Sequence, residues 1–244
     1  MIGKSIWSEM KENVTRSTET GRGIDQLAEQ LKRLADDSRG KLQVHLVGHS
    51  AGSFICGRLL SELRQKNIKV KSCTLYAPAC DLKFALDYFK PAIEAHQLAR
   101  SEFRIHVLSD HLERDDSVGP YQKSLLYLVS RALDRWHKTP LLGLANAYDG
   151  ARITEEYWHS DTLDLVKQWQ KFFWGGSVPK GFAADGKAKA SGNLHVLSAS
   201  QVNVGTRYIK SSHGCFDNDL DVIRPTLKNI FGSNLRRDVI DLDY

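Results

Sequence analysis

The sequence lacks the features that would direct it to a membrane, a secretory route or a disulfide framework. None of its apolar runs reaches the ~18 residues that a membrane-spanning helix needs. The segment Met1–Met10 is short and mixed in character and has no apolar core of a secretory signal. The four cysteines show no Cys-x-x-Cys spacing, so we expect reduced thiols in a cytoplasmic protein.

The chain also has no strong excess of one charge and no ligand pattern for a metal. Its formal net charge is +5, and Lys and Arg are scattered among Asp and Glu rather than grouped. This distribution is typical of a solvated surface, so we expect no nucleic-acid partner. The nine histidines show no zinc-ligand spacing. We therefore expect neither a metal nor a cofactor.

Short apolar runs alternate with helical patterns along the 244 residues. The apolar runs are 42–47, 70–76, 103–108, 141–145 and 194–198, and the helical patterns are 23–36, 52–65, 121–136, 154–174 and 219–231. This alternation predicts an α/β fold with a mostly parallel, doubly wound sheet of about five or six strands. One domain should span residues 1–244, with 151–193 as an insertion or surface excursion that ends in a Gly- and Lys-rich stretch.

The most informative stretch is Gly48-His49-Ser50-Ala51-Gly52, which joins an apolar run to a helical pattern. This is the sequence form of a nucleophile elbow, a sharp strained turn that exposes a serine between a strand and a helix. We expect the glycines at both ends to be required because a Cβ there would collide with the strand or the helix. The alternative is an ordinary strand–helix turn in which Ser50 caps the helix.

A serine hydroxyl becomes a nucleophile when a base takes its proton and an acid orients that base. His213 is the natural base, because it lies in a polar loop with Gly214, after the last predicted strand and before the last helix. The acid is expected in the 110–116 loop, where the candidates are Asp110, Glu113, Asp115 and Asp116.

Within that loop the sequence favours Asp116 as the acid. Asp116-Ser117-Val118 matches the Asp-x-Val that hydrolases of this kind often carry after the strand. Asp110 is the main alternative because it lies nearest the carboxyl end of that strand, where sites in open α/β sheets form. Asp115 also stays open.

Four segments together resemble the C-terminal part of a bacterial α/β-hydrolase family, whose members are mostly described as hydrolases, esterases or serine peptidases. They are Val44–Gly52, Thr74–Cys80, Lys123–Ser130 and His213–Asp219. The resemblance implies Ser50 as nucleophile, an acid in the 110–116 loop and His213 as base. Such hydrolases place three or four strands before the elbow, with a loop that completes the oxyanion hole. No strand pattern precedes residue 42 here, so we expect an N-terminally incomplete version of that fold.

Two functions of different classes follow. In the first, the protein is a serine hydrolase that cleaves a small ester, thioester or amide substrate, with Ala51 N–H as oxyanion donor. An acyltransferase would use the same residues. In the second, the protein is a weak or inactive homologue that acts as a binding or oligomerising module. We expect the 42–47 strand to lie at the sheet edge, covered by the N-terminal helix or by a second copy of the chain.

Overall fold

The computed structural model describes residues 2–184, 193–232 and 235–242. Its centre is a parallel four-stranded sheet whose strand order follows the chain, with every strand paired to the next one. The strands are β1 His45–His49, β2 Ser72–Tyr76, β3 Phe103–Leu108 and β4 Leu194–Leu197. A separate antiparallel hairpin joins β5 Gln201–Asn203 to β6 Tyr208–Lys210.

Eight α-helices accompany the sheet within the described residues. They are α1 Ile2–Arg16, α2 Gly23–Asp37, α3 Gly52–Gln65, α4 Leu82–Glu94, α5 Asp110–Asp115, α6 Leu125–Leu128, α7 Leu163–Trp174 and α8 Leu220–Phe231. None of these helices has both the length and the apolar character needed to cross a membrane.

Helices cover both faces of the sheet. Gly48 faces α3, because a Cβ built on it would lie 2.8 Å from the Cys56 sulfur. Tyr76 faces the other way, and its hydroxyl donates to Thr226 Oγ1 of α8 at 2.7 Å. This arrangement confirms the predicted α/β class and parallel sheet.

The sheet is smaller than the five or six strands expected. The 141–145 run forms only isolated bridges, Leu141 with Asp81 and Leu144 with Leu108, and passes into a buried 3₁₀ turn at Ala145–Tyr148. Within the described residues the prediction of a strand there is wrong. The run is apolar because it is buried, which is a property that buried coil shares with a strand.

Two predicted helices are shorter than their patterns. The 121–136 pattern becomes α6, which begins where Ser124 Oγ accepts the Tyr127 N–H, followed by a π-helical turn at Val129–Leu133. The 154–174 pattern becomes α7. Because Val166 and Trp169 of α7 are fully buried, the expected excursion at 151–193 supplies part of the core. Residues 185–192 of that segment lie outside the described residues.

The described residues before β1 form no strand, as the sequence predicts; α2 matches the 23–36 pattern, whereas α1 was not predicted. α1 and α2 pack on α3, through the Trp7 and Phe54 rings at 5.9 Å and through an ion pair of Lys66 with Glu29. Within the described structure β1 pairs only with β2, so the sheet ends at β1. α1 and α2 pack on α3 and leave Val47 of β1 46% exposed, so the expected cover by the N-terminal helix is not met at the centre of this edge.

Candidate active site

Ser50 occupies the sharp turn between β1 and α3 in a strained backbone conformation. Its φ is +52°, a region that residues other than glycine seldom adopt. Its N–H donates to Tyr76 O at 2.9 Å, and its carbonyl accepts the Ala79 N–H at 3.0 Å and the Ser53 N–H at 3.1 Å. These bonds tie the turn to the end of β2 and to the first turn of α3. The half-buried serine is thereby held at the carboxyl edge of the sheet.

The two glycines of the turn have different roles. A Cβ at Gly48 would lie 2.8 Å from the Cys56 sulfur and 3.2 Å from the main chain of Gly52, so this position has no room for a side chain. A Cβ at Gly52 would meet nothing within 4 Å. The expectation that both glycines avoid a collision is therefore correct for Gly48 and wrong for Gly52, because the first turn of α3 points this position away from β1.

His213 lies beside the serine. Its Nε2 is 2.9 Å from Ser50 Oγ, which is hydrogen-bond distance. The side chain is buried, and burial, followed by the nearby His49, lowers the pKa of His213 to about 4. A neutral imidazole with its proton on Nδ1 therefore presents a free lone pair at Nε2 to the serine hydroxyl. This is the arrangement that proton removal from Ser50 requires.

His49 supports the His213 loop from the strand side. Its Nε2 lies 2.9 Å from the His213 carbonyl oxygen, so Nε2 is the protonated nitrogen that donates this bond. The two imidazole rings lie 5.2 Å apart, and His49 Nδ1 is 3.8 Å from a carboxylate oxygen of Asp217. His49 therefore holds the loop that carries the candidate base.

Asp116 contacts His213, but at the main chain rather than the ring. One carboxylate oxygen accepts the His213 N–H at 2.9 Å, and the other accepts the Ser117 N–H at 2.8 Å. The buried Nδ1 of His213 has no hydrogen-bond partner within the described residues. The expected hydrogen bond between Asp116 and the imidazole ring is therefore absent among the described contacts, because both carboxylate oxygens accept main-chain N–H groups.

The alternative acids have other partners. Asp110 accepts hydrogen bonds from Tyr127 Oη and Asn146 Nδ2 and pairs with Arg114 at 3.0 Å. Asp115 is exposed and pairs with Lys210 at 3.3 Å. Neither residue bonds His213, so of the predicted acids the structure brings only Asp116 to the candidate base.

Glu113 is buried in α5, so the 110–116 segment that the sequence predicts as a loop is mostly a helix. Its carboxyl group bonds the Ser124 hydroxyl, and its Oε1 has no partner within the described residues. Burial raises the pKa of Glu113 to about 8, and the neighbouring Asp116 and Asp110 add to the rise. Because Glu113 is neutral at pH 7, its carboxyl group does not add a negative charge beside Asp110 and Asp116.

The candidate oxyanion donor is the Ala51 N–H, which makes no hydrogen bond to the described part of the chain. The turn after β2 offers no second donor, because the Ala77 N–H donates to His106 O at 2.8 Å and Pro78 has no N–H. A metal site would need at least three His, Cys, Asp or Glu side chains close together. The described residues contain no such group.

Comparisons with known proteins identify no relative of this chain. No protein-family model matches the chain, and neither the search of curated proteins nor the search of solved structures found a match. The argument for function therefore depends on the site alone.

Proposed function

We propose that this protein is a serine hydrolase of the α/β-hydrolase type that cleaves a small ester, thioester or amide through an acyl-enzyme. The observation that carries the proposal is the 2.9 Å contact between His213 Nε2 and the hydroxyl of Ser50, a serine with φ of +52°. A strained serine between a strand and a helix, beside a neutral imidazole, is the geometry of an activated nucleophile.

The residues act in a simple order. The Ser50 hydroxyl oxygen attacks the acyl carbon while its proton moves to His213 Nε2, and the Ala51 N–H donates to the oxygen that becomes negative. His213 then gives the proton to the leaving alcohol, thiol or amine, which departs and leaves the acyl group on Ser50. A water molecule reverses the sequence, with His213 again as base. Asp116 acts on this chemistry as a positioning residue, because its bond to the His213 N–H fixes where the imidazole stands.

A fluorophosphonate probe tests the proposal directly, since it labels serines that a neighbouring base activates. We expect labelling of the wild-type protein at Ser50 and none in Ser50→Ala. Ser101→Ala is the matched control, because Ser101 is an exposed serine in a different turn and its loss should leave labelling unchanged. Labelling that persists in Ser50→Ala would refute the assignment.

A weak or inactive homologue that acts by binding is the second candidate. Two observations favour it: the His213 Nδ1 has no partner within the described residues, and the turn after β2 supplies no second oxyanion donor beside the Ala51 N–H. Loss of one oxyanion donor costs about 10²–10³ in turnover. A folded wild-type protein that takes up no probe would support this candidate over the hydrolase.

A further inference from the structure

The free edge of β1 carries a defined row of main-chain groups. The Ser50 N–H donates to Tyr76 O and the Val44 carbonyl accepts the Lys71 N–H, so the even-numbered residues of this strand bond β2. Residues of a parallel strand alternate in this respect. The N–H and C=O groups of His45, Val47 and His49 therefore point to the free edge.

The edge strand itself carries no charged residue and no proline. No Lys, Arg, Asp, Glu or Pro occurs between Lys41 and Arg58, although charges and prolines are the usual protection of an exposed edge. Val47 lies at the centre of the strand, and 46% of its surface is exposed. Such an edge is suited to pair with another strand.

We propose that the occupant is β1 of a second copy of the chain, antiparallel and related by a twofold axis at Val47. The three outward residues are symmetric about Val47, so Val47 then stands opposite Val47, and His45 opposite His49. In this register each pair exchanges both N–H···O bonds, and all outward groups of both strands find partners. The two exposed valine side chains also meet across the axis.

Charge at the two ends of β1 favours the antiparallel direction. The exposed Lys41 and Lys71 lie at its amino end, and the carboxylate of Asp217 lies at its carboxyl end, 3.8 Å from His49. Antiparallel pairing brings the basic end of one copy to the acidic end of the other. The pairing itself does not depend on the proposed function.

Sedimentation velocity over a wide range of protein concentration tests the proposal. We expect a reversible dimer whose dissociation constant rises at least tenfold in Val47→Lys, because two ammonium groups would face each other across the axis. Ile55→Lys is the matched control, since Ile55 is 47% exposed but lies on α3 and not on the free edge. The control should keep the wild-type dimer. Circular dichroism checks that both variants fold.

Amide hydrogen exchange in the wild-type protein supplies a second readout that needs no variant. We expect the N–H groups of His45, Val47 and His49 to be protected at dimer concentrations and to exchange rapidly on dilution. A monomer at every concentration would overturn the proposal. So would a dimer that Ile55→Lys disrupts and Val47→Lys does not, or one in which these three amides exchange rapidly. None of these readouts uses activity, so they stand apart from the labelling test of Ser50.

Discussion

Asp116 accepts the main-chain N–H of His213 at 2.9 Å, while the ring of His213 faces Ser50. The carboxylate therefore acts on the backbone of the loop that carries the candidate base. A hydrogen bond to a charged acceptor contributes about 1.5–3 kcal/mol. It fixes the loop at the point where the imidazole must reach the serine.

Asp116→Asn should slow probe labelling of Ser50 more than Asp110→Asn. The amide NH₂ group would oppose one of the two main-chain N–H groups, and a shift of about 1 Å in the base can cost ~10² in rate. Asp110→Asn disturbs the Tyr127 and Arg114 contacts but leaves the His213 loop in place. Labelling rates are compared at equal folded fraction. A larger loss in Asp110→Asn would contradict the placement of Asp116.

The labelling rate should resist acid. The pKa of His213 is lowered to about 4 by burial, so the neutral base persists far below the ordinary histidine value of 6.5. We expect the pH–rate profile to fall to half near about 4 and to be flat above 6.5. The same shift means that His213 stabilises the fold above pH 6.5 and that this contribution is lost as the pH falls through 4. A half-point near 6.5 in protein shown to be folded would count against the buried base.

Gly48→Ala and Gly52→Ala should change stability in opposite directions. A Cβ at Gly48 must displace the Cys56 sulfur and the Gly52 backbone, which should cost about 1–3 kcal/mol of unfolding free energy. A Cβ at Gly52 enters open space at the start of α3, where alanine in place of glycine should add about 0.5–1 kcal/mol. Urea denaturation measures both variants. If both variants were destabilised to a similar extent, the open space that the structure shows beside Gly52 would be contradicted.

Glu113→Gln should remove part of the pH dependence of stability. The pKa of this carboxyl group is raised from 4.5 to about 8, so the folded protein holds a proton that the unfolded chain releases. Glu113 therefore contributes stability that is complete below pH 4.5 and is lost as the pH rises through 8. Between these pH values the contribution of Glu113 to the free energy of unfolding falls by up to ~1.4 kcal/mol per pH unit. Urea denaturation at pH 5 and at pH 8 should show a smaller difference in the variant than in the wild type.

The elements nearest the site could be predicted closely from the sequence. The apolar run 103–108 coincides with β3 Phe103–Leu108, and the helical pattern 52–65 coincides with α3 Gly52–Gln65. Both have a clear period and a sharp boundary, and a local pattern is sufficient for such elements. The chain order of Ser50 and His213 also led to two residues that the structure places in contact.

Other features depend on contacts that no local pattern contains. The 141–145 run is apolar because it passes under the 77–78 turn, where a Cβ at Gly143 would lie 2.6 Å from Pro78 O. The partner of Asp116 is a main-chain N–H nearly a hundred positions away along the chain, and a carboxylate pattern does not distinguish a ring from a backbone. The neutral state of Glu113 likewise follows from burial, which only the packed structure reveals.

The order of the sheet has a consequence for the growing polypeptide. In the four-stranded sheet each strand pairs with the strand that follows it in the chain, so a nascent chain can add the strands in order as it leaves the ribosome. Ser50, in the turn after β1, has its main-chain partners once β2 and the residues to Ala79 have been made, whereas His213 follows β6. A nascent chain would therefore have the serine turn before it had the candidate base, and we expect no probe labelling of Ser50 until residue 213 has been made and folded.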